Sequence, residues 1–244
     1  MKKRKKLNAN KLMGILFFSL LLVLGTCFFL KSDFFYLKYI EINNNKYLTK
    51  EDVNGLLNIE KNKNIFFYDL NNLKNRLKES SYIENCEIKR KIPNKLIVNI
   101  EEKNIIGPIY NGKSYAYIDN SGNFVDQIKK NKKNEPVIYV KYTLNNQSLK
   151  FVNKNDEKKL IVLCTKLKEE NILKRIKIID FRNKSTINMK EKKGITIYLN
   201  KDNNIEKNIT KLRKILVDLQ NRKELYGKID FTYNNYILYS PYNN

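Results

Sequence analysis

The sequence predicts an α+β protein held behind a single N-terminal transmembrane helix. Three observations carry this. One long apolar run stands near the start. A strand, helix, helix, strand, strand order follows it. A longer stretch then mixes strands with two amphipathic helices. The apolar run is Leu12 to Leu30, nineteen residues without a charge. As a helix at 1.5 Å per residue it reaches about 28 Å, close to the roughly 30 Å hydrocarbon core of a bilayer. Lys2, Lys3, Arg4, Lys5, Lys6 and Lys11 precede it, and Lys31 and Lys38 follow. That asymmetry puts a basic tail over 1–11 in the cytoplasm, the span over 12–30, and the bulk of the chain outside. Phe34, Phe35 and Tyr36 fall where an interfacial aromatic belt belongs. Phe28, Phe29 and Leu30 prolong the run beyond a cleavable signal peptide, and no small-residue cleavage site follows. Leu24-Gly25-Thr26 before Cys27 fits a lipoprotein signal poorly.

Downstream, Leu37 to Ile42 alternates loosely as a strand. Thr49 is an expected N-cap, with Glu51 and Asp52 in the first helical turn and Val53, Leu56 and Leu57 on the apolar face. Asp69 is expected to cap a second helix carrying Leu70, Leu73 and Leu77. Ser81 to Arg90 forms a strand with Cys86 and Ile88 on one face. Pro93-Asn94 turns the chain, and Leu96, Val98 and Ile100 mark a half-buried return strand. This hairpin under two helices makes a compact module over 34–104.

Gly107, Pro108 and Gly112 read as a junction. Tyr115 to Asp119 and Asn123 to Val125 form a hairpin across Asn120-Ser121-Gly122. Lys129 to Lys133 reads as a solvated basic loop, with contact to an anionic wall polymer as the lesser alternative. Asp156 to Glu170 is helical, with Leu160, Leu163 and Leu167 inward beside Cys164. Strands follow at Arg175 to Phe181, Ser185 to Met189 and Ile195 to Leu199. Asn204 opens a helix whose apolar face is Ile205, Ile209, Leu212, Ile215, Leu216 and Leu219. Lys228 to Tyr233 and Tyr236 to Tyr239 close a second domain, over 105–241, as strands.

Composition bears on chemistry. The chain has 48 Lys+Arg, 25 Asp+Glu, a net charge of +23 and no His. Lacking imidazole, it has no Ser/His/Asp triad, Cys/His pair or His-ligated metal. The 37 Asn, beside abundant Lys, Ile and Tyr, point to AT-rich codon usage as a source of the lysine excess. Whatever its origin, the charge favours anionic surfaces. Cys27, Cys86 and Cys164 are too scattered for a thiolate cage, and the last two are expected as buried free thiols. Asp119, Asp180 and Asp230 stand singly at strand ends, where turn capping is the expected role. No Walker loop, G-x-S-x-G, G-x-G-x-x-G or CxxC occurs. The chain is therefore expected to need no cofactor, catalyse nothing and bind no nucleic acid. What remains is binding. If the β-rich terminal strand ends its sheet, its unpaired N–H and C=O groups offer an edge to which a partner adds a strand. Alternatively, its tyrosines simply cover the sheet.

The stretch Ile40 to Lys103 resembles the POTRA domain of the FtsQ/DivIB family. The residues carrying this are Ile40-Glu41-Ile42, Leu48-Thr49, Asn64-Ile65-Phe66, Ile83, Cys86 to Arg90 and above all Pro93 to Lys103. Lys103 stands where the family has Arg. Asn44 stands where it has Gly, a change that left-handed Asn geometry tolerates. The later segment is similar to the family's β domain at Tyr115, Ile118, Asp119 and Gly122, at Gly194 to Leu199, and at Gly227 to Tyr233, with Phe231 and Thr232 deviating. The resemblance implies a scaffold of the bacterial divisome in the cell membrane at the septum. It implies that the POTRA domain meets other membrane-proximal division proteins. It also implies that the end of the β domain receives the bitopic FtsB/DivIC-like and FtsL-like proteins. The positions matching that site are Phe231, Tyr233, Asn235, Tyr236, Ile237, Leu238 and Tyr239. Two other readings compete: a POTRA-type transport module, which needs a run of transmembrane strands, and a Ser–Lys envelope enzyme, for which no motif stands in place.

Overall fold

The computed structural model describes residues 9–60, 62–129, 135–145, 148–233 and 235–242. The basic run Lys2 to Lys6, and the basic loop after Lys129, lie outside the described residues. The chain divides into two units, the first ending at Glu102 and the second beginning at Lys103.

The first unit opens with α1 (Ala9–Lys31), a helix long and apolar enough to cross a membrane. The Ser19 and Thr26 hydroxyls donate to the carbonyls of Leu16 and Val23, so neither presents an unpaired donor to hydrocarbon. After it come β1 (Tyr39–Asn43), α2 (Lys50–Leu57), α3 (Leu70–Lys78), β2 (Ile83–Lys91) and β3 (Lys95–Glu102). The expected first strand is thus shifted by a residue or two. Thr49 caps α2 in a reciprocal box: its hydroxyl accepts from the Asp52 N–H at 3.1 Å, and the Asp52 carboxylate accepts from the Thr49 N–H at 2.8 Å. Asp69 caps α3 by accepting from the N–H groups of Asn71 and Asn72. Asn44 sits at φ 65°, the left-handed geometry expected where glycine is usual.

The three strands form one sheet in the order β1-β3-β2. β1 runs parallel to β3 with Ile42 beside Val98, and β2 runs antiparallel with Cys86 beside Ile100. Leu96, Val98 and Ile100 meet Val53, Leu57, Leu73 and Leu77 in one core. β3 is central, and its alternate residues Leu96, Val98 and Ile100 are all but fully buried.

The second unit contains β4 (Ile105–Tyr110), β5 (Tyr115–Asp119), β6 (Phe124–Ile128), β7 (Val137–Tyr139), β8 (Tyr142–Asn145), β9 (Ser148–Phe151), α4 (Lys154–Glu169), β10 (Ile176–Asp180), β11 (Thr186–Glu191), β12 (Ile195–Asn200), α5 (Ile205–Asn221), β13 (Gly227–Phe231) and β14 (Leu238–Pro241). Nine of these strands make one mixed sheet in the order β14-β13-β12-β11-β10-β7-β4-β5-β6, and β8 and β9 form a separate hairpin. α4 and α5 pack side by side and share a single core with the sheet, built from Ile118, Ile138, Leu163, Ile197, Leu212 and their neighbours. Asn153 and Asn204 cap the two helices.

The sequence reading missed β4, β7 and the β8–β9 hairpin. Gly107 and Pro108 look like strand breakers, yet both lie inside β4. The ladder to β5 shifts register between Ile105 and Gly107, where φ reaches 141° and glycine is needed. Pro108 pairs opposite Tyr117, and the pairing of β4 with β7 starts only at Ile109. The proline therefore costs that side no ladder bond. β7 spans three residues, too few for any periodicity to show.

Candidate partner-binding edge

Two short elements build the candidate edge. β13 carries Ile229 and Phe231 inward, and Phe231 is only 2% exposed. Asp230 then stops the strand: its carboxylate accepts from the Thr232 N–H at 3.0 Å and the Thr232 hydroxyl at 2.6 Å. This turns the chain off the sheet before Tyr233, so the expected strand through Tyr233 ends two residues early. The last strand likewise begins at Leu238 rather than Tyr236. β14 runs antiparallel to β13, pairing Leu238 with Asp230, Tyr239 with Ile229, Ser240 with Lys228 and Pro241 with Gly227.

β14 is the terminal strand of the nine-stranded sheet. In an antiparallel pair, alternate residues turn their N–H and C=O groups away from the partner strand. Those of β14 face outward with no described strand beyond them. Pro241 has no N–H, and proline is frequent on edges because it limits how far a new strand can pair. The sequence reading left out Ser240 and Pro241, and the proline was the available signal.

The side chains around this edge are aromatic and exposed. Tyr233 and Tyr236 stack with ring centroids 4.7 Å apart at 16°. Tyr236 is 58% exposed, Tyr233 42% and Leu238 41%. Asn235 is exposed beside them, and Ile237 is half-buried against the core. Tyr239 also packs on the core, and its hydroxyl donates to the Tyr226 carbonyl at 3.1 Å. Burial, helped by the nearby Glu224 carboxylate, raises its phenol above the usual tyrosine value. Of the seven expected residues, six gather at this end of the sheet. Phe231 is the correction: it shares the inward phase of Ile229, its side chain belongs to the core, and a partner has no access to it.

Lys228 adds charge here. Its ammonium lies 2.9 Å from the Asp230 carboxylate and 4.7 Å from the centre of the Tyr198 ring. The hydrogen bond to Asp230 raises the lysine. Burial works against the Asp230 carboxylate, but the bonds from Thr232 and Lys228 win and hold it below the usual range. The opposite end of the sheet, β6, has the polar Asp126 and Gln127 in its middle. The apolar and aromatic surface is thus concentrated at the β14 end.

The groups that elsewhere perform chemistry are held in structural roles. Asp119 accepts from the N–H groups of Ser121 and Asn123, and Asp180 from that of Arg182, each closing a turn. Cys86 and Cys164 are buried free thiols, as their apolar phase implied. Burial pushes the Cys86 thiol up and the Cys164 thiol to about 12. No group of three His, Cys, Asp or Glu among the described residues is placed to hold a metal ion. An open cleft of about 310 Å³ lies between the end of α2 and the start of α3. Its Arg76 donates to the carbonyls of Leu57 and Asn58, and its Tyr68 to that of Glu60.

Comparison with known proteins places these two units in a family. The FtsQ-type POTRA domain matches residues 35–103, the segment from the end of α1 through the three-stranded sheet. The cell division protein DivIB of Clostridium tetani is 32% identical over 229 residues, covering 89% of this chain and 83% of that protein. DivIB of Clostridium botulinum strain Loch Maree is 26% identical over 239 residues, covering 95% and 91%. Cell division protein FtsQ of Syntrophotalea carbinolica is 27% identical over 99 residues, covering 41% and 35%. The Clostridium tetani likeness covers most of both chains and the POTRA match lies in the first unit, and on that ground the chain belongs to the DivIB/FtsQ family of cell division proteins.

Proposed function

We propose that this chain is a non-enzymatic scaffold of the bacterial division machinery, anchored by α1 with its N-terminus in the cytoplasm and acting at the septum. β14 and the tyrosines before it receive a strand from FtsB/DivIC-like and FtsL-like bitopic proteins. The POTRA unit engages other division proteins near the membrane. Early and late components are thereby linked through contacts on one membrane-bound chain. The observation that supports this most is the β14 edge, which terminates a nine-stranded sheet and is flanked by exposed Tyr233, Tyr236 and Leu238. Backbone hydrogen bonds along Leu238 to Ser240 supply affinity, and the tyrosine rings supply specificity by stacking on the incoming side chains.

The test is the affinity of the exported part, residues 31–244, for a soluble FtsB/FtsL-type peptide pair. Tyr233→Glu and Tyr236→Lys are each expected to weaken binding about tenfold or more, about 1.4 kcal/mol or more. Both residues are exposed, so the thermal midpoint stays at the wild-type value. Wild-type affinity in both variants rejects the edge. A fluorescent fusion of the full chain is expected at mid-cell in dividing cells, and a uniform envelope signal speaks against the division-site reading.

A further inference from the structure

α1 does not simply lead into the POTRA unit; its last turn is bonded to it. The Asn64 side-chain amide donates to the Leu30 carbonyl at 2.6 Å, and Asn64 is only 3% exposed. The Leu37 N–H donates to the Lys63 carbonyl at 3.1 Å, and Tyr36 forms a β-bridge with Asn64. Phe29, Phe35 and Phe66 continue the join as a chain of rings: Phe29 meets Phe35 edge-on at 5.2 Å, and Phe35 meets Phe66 at 5.3 Å. A third loop is tied to these two. The N–H groups of Lys38 and Tyr39 both donate to the Asn94 carbonyl, and the Arg90 guanidinium donates to the carbonyls of Ile65 and Tyr68.

Three loops, around residues 32–38, 62–68 and 91–95, are therefore fixed to one another and to the helix end. Each exposes large apolar side chains: Phe34, then Phe66 and Phe67, then Ile92, with Phe67 and Ile92 both 61% exposed. Exposed lysines accompany them at Lys31, Lys63 and Lys91. Apolar side chains held outward on rigid turns and edged by cations match the boundary of a bilayer, where rings sit among acyl chains and ammonium groups meet phosphates. The level is set by α1 itself. Its apolar run stops at Leu30, and Asn64 stands within one hydrogen bond of that residue.

We propose that this end of the POTRA unit is a bilayer-docking surface. Phe34, Phe66, Phe67 and Ile92 insert at the headgroup–acyl boundary of the membrane that α1 crosses, with Lys31, Lys63 and Lys91 against lipid phosphates. The POTRA unit is thus held in one orientation on the membrane rather than hanging from a swivel. The proposal rests on α1 being a membrane span and is independent of the β14 edge.

The chain contains no Trp, so one introduced tryptophan reports a single position. The full-length protein is reconstituted in phosphatidylcholine–phosphatidylglycerol vesicles with and without brominated acyl chains, as L22W, F67W, I92W and E84W. Glu84 is exposed and stands near the start of β2, seven residues before its last residue Lys91, roughly 23 Å away along an extended strand, with Ile92 just beyond. The expected result is loss of most emission to brominated lipid in L22W, F67W and I92W, with E84W unaffected. If L22W is quenched while F67W and I92W behave like E84W, the docking surface is overturned and the span stands. If L22W is also unquenched, span and docking fall together.

Discussion

Asp230 shows how one side chain sets both the shape and the acid sensitivity of the candidate edge. It turns the chain off β13, and its bonds to Thr232 and Lys228 hold its carboxyl below the usual range despite burial. Asp180, with burial again opposing and Arg182 bonding to it, is depressed in the same way. A group whose folded value is depressed contributes stability that is present above the unfolded value of 3.8 and lost as pH falls through the folded value. Asp230→Asn is therefore expected to cost about 1–2 kcal/mol at neutral pH, with the difference from wild type shrinking as pH falls below 3.8 and through the folded value. Urea unfolding midpoints across that range check this; a constant gap at every pH refutes it. At this scale much was legible beforehand. Asp230 at a strand end, Thr49 before acids and Cys164 in an apolar phase all announced their roles, because each depends on neighbours within a few residues. The inward turn of Phe231 was not legible, since aromatic residues on either side of Thr232 look equivalent until the chain's exit from the sheet is known.

Among elements, β14 is defined as much by what lies beneath it as by its own residues. A Cβ on Gly227 would stand 2.7 Å from the Ser240 carbonyl oxygen and 2.7 Å from the Tyr239 ring. Gly227→Val thus forces β14 off β13. It is expected to cost about 1–3 kcal/mol and to weaken partner binding at least as much as the tyrosine variants. Retained binding in Gly227→Val shows that a seated β14 is unnecessary. Gly55, in α2, has no atom within 4 Å of such a Cβ. Gly55→Ala is expected to raise stability by about 0.5–1 kcal/mol, read as a higher midpoint of the POTRA unit. The helices, with their caps and periodic faces, were legible in the sequence. β4 was hidden by its Gly-Pro pair, and β7 by its brevity. The tie between α4 and the end of β12, where buried Lys201 donates to Asp156 at 2.8 Å and to the Phe181 carbonyl, joins residues 45 apart in sequence and leaves no local trace.

Across the whole chain, the two units have separate cores that share no residue. Leu96→Ala, at a fully buried position in the first core, is expected to cost that unit about 2–5 kcal/mol. Amide exchange at Ile197 and Leu199 in the second core is expected to stay at the wild-type rate. Faster exchange there means the two cores unfold as one. By itself, the sequence determined the features that rest on near neighbours: an apolar run long enough to span a bilayer, capped helices with one greasy face, and strands alternating in and out. The tertiary structure alone decided which strands meet. It placed β3 at the centre of the small sheet, set Ile109 beside Ile138 and Ile195 beside Gly227, and left β14 at the rim. Strand pairing joins residues distant along the chain, and the free energy that selects one partner comes from burying the core-facing side chains of all the strands together.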